Sequence, residues 1–168
     1  KKKINYFEID FQLTKDNRLI CLHPNDNKDL SNKNIRELFF KDIKKILDLN
    51  DKCYDDLITK LLKNNPKMLI ITDFKENNIE GLNFISQNFS KQLNQFVPQI
   101  YFAHEYVHVK KMGFNKIIFT LYKIPNLSNE EIIEQINDMD LYAVTMDPAR
   151  LRKGLAKILK KKNIFTYV

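Results

Sequence analysis

A chain of 168 residues, 43% hydrophobic and 29% charged, can bury one sizeable core, although a complete eight-stranded α/β barrel usually takes about 200 residues or more. This composition excludes a disordered or fibrous protein, and no apolar run is long enough to cross a bilayer as a helix. The formal charge of +7 favours anionic partners, phosphate esters and anionic membrane surfaces included, while the few arginines and scattered lysines argue against a nucleic-acid face.

Lys1-Lys2-Lys3 runs straight into a strand-like segment and does not read as the start of a secretion signal. From Tyr6 to Phe11 polar and apolar residues alternate, so Glu8 and Asp10 share one face and Phe7, Ile9 and Phe11 the other. Lys15-Asp16-Asn17-Arg18 has turn chemistry, and Leu19 to Leu22 is a returning arm that ends at His23-Pro24. A polar stretch follows. Tyr54, Leu57, Ile58, Leu61 and Leu62 then recur at helical spacing until Asn64-Asn65-Pro66.

Met68 to Thr72 is a short apolar strand opening onto Asp73, and Ile79, Leu82, Ile85, Phe89 and Leu93 mark a helix after it. Strand and helix go on alternating: Pro98 to Phe102, a helix around Val107 and Val109 ending at Gly113, then Lys116 to Leu121. Ser128 and Glu131 form a capping box ahead of Ile132, Ile133, Ile136 and Met139, and Leu141 to Met146 is the next strand. Asp147-Pro148 suits an N-cap and first helical position before a stripe of Leu151, Leu155, Ile158 and Leu159, and Ile164 to Val168 is a last strand.

Strands that start near residues 5, 68, 98, 116, 141 and 164, separated by helices, predict a parallel sheet with right-handed crossovers and no internal domain boundary. The pattern is shared by an open doubly wound sheet and a barrel; both place ligands at the carboxyl ends of the strands. Those ends carry Glu8 and Asp10, Asp73 and Lys75, Gln99 and Tyr101, Thr120 and Tyr122, and Thr145. Two acids on one strand and a third on a neighbour make a partial oxygen cage of the kind that Mg²⁺ or Ca²⁺ takes. His23 has the chemistry to protonate a departing alkoxide.

The run Phe7-Glu-Ile-Asp-Phe-Gln-Leu-Thr-Lys-Asp-Asn-Arg-Leu-Ile-Cys-Leu-His23 resembles the Glu-x-Asp, Thr-x-Asp and strand-to-His block of glycerophosphodiester phosphodiesterases. Leu69-Ile-Ile-Thr-Asp-Phe-Lys75 resembles that family's next metal-binding strand, and Val97-Pro-Gln-Ile-Tyr101 and Ile117-Ile-Phe-Thr-Leu-Tyr122 resemble its later strands. The resemblance implies a (β/α)8 TIM barrel over residues 1–168, with its first and last strands missing from the chain. It implies that Glu8, Asp10 and Asp73 hold a divalent cation, Ca²⁺ or Mg²⁺, that His23 is one of two catalytic histidines, and that Lys75 binds the substrate phosphate.

The activity so implied is hydrolysis of a glycerophosphodiester, or of a related phospholipid headgroup, to an alcohol and a glycerol phosphate. Two departures stand against it: the His-Arg-Gly block that precedes Glu-x-Asp in the family is absent, and His23-Pro24 stands where His-Asp is usual. They leave room for a catalytically silent barrel that binds a phosphorylated ligand or serves as a scaffold.

Each residue also has an ordinary reading. Asp73 could cap the helix that follows, Lys75 could be a solvated charge, and Gln99, Tyr101, Thr120 and Tyr122 could be packing. His104 and His108 stand four apart at a helix start without a third ligand and are expected at the surface. Cys21 and Cys53 lack metal-ligand spacing; Cys21, inside an apolar run, is expected to be a buried thiol. The Lys- and Asn-rich composition points to an AT-rich bacterial source and leaves compartment (cytoplasmic or cell-surface) and oligomeric state open.

Overall fold

The alternating run at the start of the chain forms β1 (Asn5–Leu13), and Leu19–Cys21 returns beside it as β2. In this computed structural model, which describes residues 5–23, 29–30, 33–47 and 53–168, the pair is antiparallel, with Phe11 opposite Cys21 and Leu13 opposite Leu19. Lys1 to Lys3 and Pro24 lie outside the described residues. The hairpin closes as its polar turn requires: Thr14 N–H donates to Arg18 O at 3.0 Å, and Asn17 takes the left-handed conformation (φ 53°) that asparagine tolerates.

The chain gathers into two compact units, one ending at Phe96 and the other beginning at Val97. In the first, β3 (Met68–Phe74) runs parallel to β1 in a register from Asn5 opposite Met68 to Phe11 opposite Phe74. Between these strands lie α1 (Phe40–Leu47) and α2 (Asp55–Asn64). The α2 helix follows the predicted spacing, burying Ile58 and Leu62, and stops at Asn65. The α1 helix was not visible in the sequence, because its eight residues bury only Ile43 and Leu47 among lysines. Those two join Ile20, Leu22, Leu30 and Ile35 in a cluster of their own, so β2 has a hydrophobic seat there.

After β3 comes α3 (Asn78–Asn88), followed by a tight turn of helix over Ser90–Gln95. Buried Gln95 donates from Nε2 to the carbonyls of Asn65 (2.9 Å) and Met68 (3.2 Å), tying the end of this unit to the loop that leads into β3. Phe74 packs against Phe11 with ring centroids 5.6 Å apart, and Gly81 admits the Phe74 ring where any Cβ would collide with it.

Cys21 is not a buried thiol. It is bonded to Cys53, and Cys21 N–H donates to Cys53 O at 3.0 Å. With the two cysteines 32 positions apart and no cysteine framework, the sequence offered nothing to pair them. Arg18 reinforces the same seam through a two-pronged pair with Asp55 (2.6 and 2.5 Å) and a bond to Asp56 at 2.9 Å, and the bonds to Asp55 raise its already high pKa.

The second unit is a run of parallel strands, β4 (Phe96–Ile100), β5 (Ile118–Thr120), β6 (Ala143–Thr145) and β7 (Phe165–Tyr167). Gln99 stands opposite Ile118, Thr120 opposite Thr145 and Thr145 opposite Tyr167. Helices α4 (Glu105–Lys111), α5 (Asn129–Gln135), α6 (Pro148–Arg152) and α7 (Leu155–Lys161) connect the strands. The Ser128–Glu131 capping box forms with both of its bonds, and Asp147 caps α6 ahead of Pro148, as the sequence predicts.

The single stripe expected from Leu151 to Leu159 does not form. Gly154, at φ 92°, ends one helix and starts another, so Leu155 and Leu159 are buried while Leu151 and Ile158 turn outward. Among the described residues no helix is long and apolar enough to cross a membrane.

Candidate active site

The register of β1 on β3 sets Asp10 directly opposite Asp73, so two carboxylates from adjacent parallel strands meet near their carboxyl ends. Lys75, just past the end of β3, closes over them: its Nζ lies 2.6 Å from Asp10 Oδ1 and 2.7 Å from Asp73 Oδ2. Side-chain exposures of 29% for Asp10, 20% for Asp73 and 26% for Lys75 leave the trio open to a small ligand while shielding it partly from water. Burial alone would lower the Lys75 pKa, but its hydrogen bonds to Asp10 and Asp73 outweigh that and raise it, so the ammonium is charged at neutral pH.

His23 ends the return arm, whose backbone is bonded to β1 just before it. Leu22 N–H donates to Asp10 O at 3.1 Å, and Gln12 donates from Nε2 to Leu22 O at 2.9 Å. The residue before the half-buried His23 is thereby clamped to the strand that carries Asp10. Gln12 was missed in the sequence. It is buried, and the two-residue alternation that put Glu8 and Asp10 on one face extends to it and could have found it.

Glu8 lies two residues before Asp10 on β1, opposite Ile71, and is exposed. Asp73 does not cap α3, whose N-cap position is Asn77. Among the described residues no three His, Cys, Asp or Glu side chains gather into a group that could hold a metal ion. Asp10 and Asp73 are carboxylates, the donor type that hard cations take, and one oxygen of each is paired with the Lys75 ammonium.

No family model matches the chain, and no curated protein sequence is significantly similar to it. Solved structures are. A structure from Galdieria sulphuraria assigned to the glycerophosphodiester phosphodiesterases superposes with a TM-score of 0.77 at 15% identity, covering 97% of this chain and 70% of that one. A glycerophosphodiester phosphodiesterase from Thermotoga maritima gives 0.69 at 19% identity, covering 96% of this chain and 71% of the other. The fold is that of the glycerophosphodiester phosphodiesterases. It is an α/β fold of the TIM-barrel type, as the family resemblance implies and as the order of strands and helices alone left open.

In that fold the carboxyl ends of the strands are where ligands bind, and the second unit's ends differ in character from the Asp10 corner. Thr120 donates to Gln99 Oε1 at 2.6 Å in a buried pair, and Tyr122 OH lies 3.5 Å from Thr145 Oγ1. Lys123 Nζ sits 5.6 Å above the Tyr101 ring. Glu105, also missed in the sequence, is buried and accepts from the backbone N–H groups of Tyr101 (2.6 Å) and Phe102 (3.0 Å), fixing the turn after β4. His104 and His108 are exposed, as expected, with His104 stacked on Phe102.

Proposed function

We propose that residues 1–168 form one phosphodiesterase-like domain, a phosphoric diester hydrolase that uses a divalent metal ion, Ca²⁺ or Mg²⁺, to split glycerophosphodiesters into an alcohol and a glycerol phosphate. The observation that carries this reading is the in-register Asp10–Asp73 pair with Lys75 bridging it, and the Leu22 N–H bond to Asp10 O, which holds the backbone next to His23 against β1. Likeness of fold over nearly the whole chain supports it independently.

Asp10 and Asp73 would hold the ion, with Glu8 next on the same strand face. Once bound, the ion would neutralise phosphoryl charge and favour attack at phosphorus. Lys75 is positioned to pair with a phosphate oxygen. A water forms the new P–O bond and gives up its proton to solvent, or the neighbouring glycerol hydroxyl does so and yields a cyclic phosphate that water then opens to glycerol phosphate; in either case the ester P–O bond to the alcohol breaks, and His23 supplies the proton that the departing alkoxide needs. Partial exposure of the corner suits a small diester or a phospholipid headgroup reached at a membrane surface. The Cys21–Cys53 disulfide supports folding in an oxidising compartment, outside the cytoplasm.

The test is release of glycerol phosphate from glycerophosphocholine, glycerophosphoinositol and glycerophosphoglycerol, with Mg²⁺, with Ca²⁺ and with chelator. Metal-dependent turnover that is lost in His23→Ala and Asp10→Asn supports the proposal. Absence of turnover on every diester, with phosphate-ester binding retained, would favour a silent ligand-binding barrel.

A further inference from the structure

We infer that the amino-terminal ends of β5, β6 and β7 form a docking surface for an anionic membrane, on which Phe165 enters the headgroup layer while Lys116 and Lys160 to Lys162 meet lipid phosphates. This goes beyond the proposed phosphodiester chemistry and does not depend on it.

Charge is the first observation. Pro148 to Val168 holds seven of the 28 Lys and Arg residues and none of the 21 Asp and Glu residues, so the rest of the chain is neutral and the formal charge of +7 resides wholly in this stretch. Of the seven, Arg150 is buried and donates to the carbonyls of Leu127 and Pro125, both at 2.8 Å. The other six are exposed, and among the described residues none of them makes an ion pair. On the loop before β6, Asp140 is paired with Lys110 at 2.9 Å, and Asp138 accepts from the Asn137 amide at 3.3 Å.

The second observation is what lies beside the charge. The α7 helix ends in Lys160 and Lys161, Asn163 in the left-handed conformation (φ 60°) turns the chain back, and Ile164 N–H donates to Leu159 O at 3.0 Å. Phe165 therefore opens β7 directly beyond the lysines, and at 65% it is the most exposed large apolar side chain among the described residues. Its ring packs on that of Tyr142, just before β6, with centroids 5.5 Å apart. Lys116, just before β5, holds its ammonium 6.0 Å from the Tyr142 ring centroid.

A lone exposed phenylalanine or a lysine run is ordinary on a solvated surface. Together they match a membrane interface, where aromatic rings sit at headgroup level and long lysine stems carry the ammonium to phosphate. Nucleic acid fits less well: only one exposed arginine, Arg152, accompanies the lysines of this stretch, and the two rings meet at 51°, an edge to insert rather than a flat platform for bases. Because these strands are parallel, the surface lies at the ends opposite to Thr120 and Thr145. Docking there leaves the ligand-binding ends of that unit open.

The experiment is co-sedimentation of the full chain with vesicles of phosphatidylcholine alone, and of phosphatidylcholine with phosphatidylglycerol at about three to one, over about 0.05–0.5 M salt. The expected result is binding to the anionic vesicles only, weakening as salt rises. One lysine beside an anionic surface contributes about fivefold, so Lys160→Gln, Lys161→Gln and Lys162→Gln together should weaken binding about a hundredfold. Removing the same charge from α1, by Lys41→Gln, Lys44→Gln and Lys45→Gln, should change it by no more than about threefold. The chain has no tryptophan, so Phe165→Trp supplies a single reporter whose emission should shift to the blue on anionic vesicles. Phe165→Ser should weaken binding about tenfold, and circular dichroism would establish that each variant is folded.

No binding to anionic vesicles, equally tight binding to phosphatidylcholine alone, equal losses from the two lysine triples, or an unshifted emission from Phe165→Trp would each overturn the proposal. Tighter binding to a single-stranded oligonucleotide than to anionic vesicles, lost in Phe165→Ser, would assign the surface to nucleic acid instead.

Discussion

Two sets of strand ends in this chain have the same backbone geometry and opposite chemistry. At the ends of β1 and β3, Asp10, Asp73 and Lys75 are charged and a fifth to a third exposed, and they pair with one another. At the ends of β4, β5 and β6, Gln99, Thr120 and Thr145 are neutral and buried. The first set is costly to assemble, because like charges must be brought together and partly desolvated. The second resembles ordinary polar packing, each hydroxyl or amide satisfied by a neighbour. The difference teaches where chemistry is to be sought. Charge kept together and accessible is ready for an ionic ligand, whereas buried hydrogen bonds mainly stabilise.

The largest expected effect tests the first half of that contrast. Asp10→Asn, Asp73→Asn and His23→Ala should each cut diester turnover by about a hundredfold or more, while the melting temperature shifts little because the residues are partly exposed. Steady-state phosphate-ester assays beside thermal melts would check this.

Next in size is the seam that seats the His23 arm. Replacing both Cys21 and Cys53 by serine should cost about 3–4 kcal/mol of stability, from the loop that the disulfide closes, as read by urea unfolding. Turnover by the folded fraction should survive, since the Leu22 to Asp10 and Gln12 to Leu22 bonds hold the arm without it.

The second set of strand ends should respond the opposite way from the first. Thr120→Val removes the donor to buried Gln99 and should cost about 1–3 kcal/mol, visible as a lower urea midpoint, with turnover per folded molecule close to wild type.

The smallest effect is on pH dependence. The backbone N–H of Ser128 lowers the pKa of Glu131, and that of Arg150 lowers the pKa of Asp147. A carboxylate depressed on folding adds stability that is present above its unfolded pKa and is lost as pH falls through the folded one. Glu131→Gln should therefore flatten the acid limb of a melting-temperature profile slightly and leave neutral pH nearly unchanged. Lys75 has the opposite sign. Its raised pKa means that its contribution is complete below the ordinary lysine value and is lost as pH climbs through the folded one, so Lys75→Met should alter only the alkaline limb in shape.

Much of the fold was legible because local chemistry and tertiary position agreed. The Ser128–Glu131 box, the Asp147-Pro148 start and the Asn17 turn are each set by a few neighbouring residues. Alternation along β1 likewise put Glu8 and Asp10 on one face. What could not be read depends on register and distance in space. Nothing local says that Asp10 will stand opposite Asp73, that Lys75 will span them, or that Cys21 will meet Cys53. The α1 helix was hidden because a short helix with two buried residues leaves too little periodicity. The break at Gly154 carried a signal, a glycine following basic residues, that the longer leucine stripe obscured.

The most direct test of the central claim, that chemistry resides in the Asp10–Asp73 corner, is one paired measurement on Asp73→Asn and Thr120→Val: glycerol phosphate release per folded molecule and unfolding free energy for each. The account predicts that Asp73→Asn loses turnover and keeps most of its stability, while Thr120→Val loses stability and keeps turnover. If Asp73→Asn turns over diester as fast as wild type, the corner is not the active site.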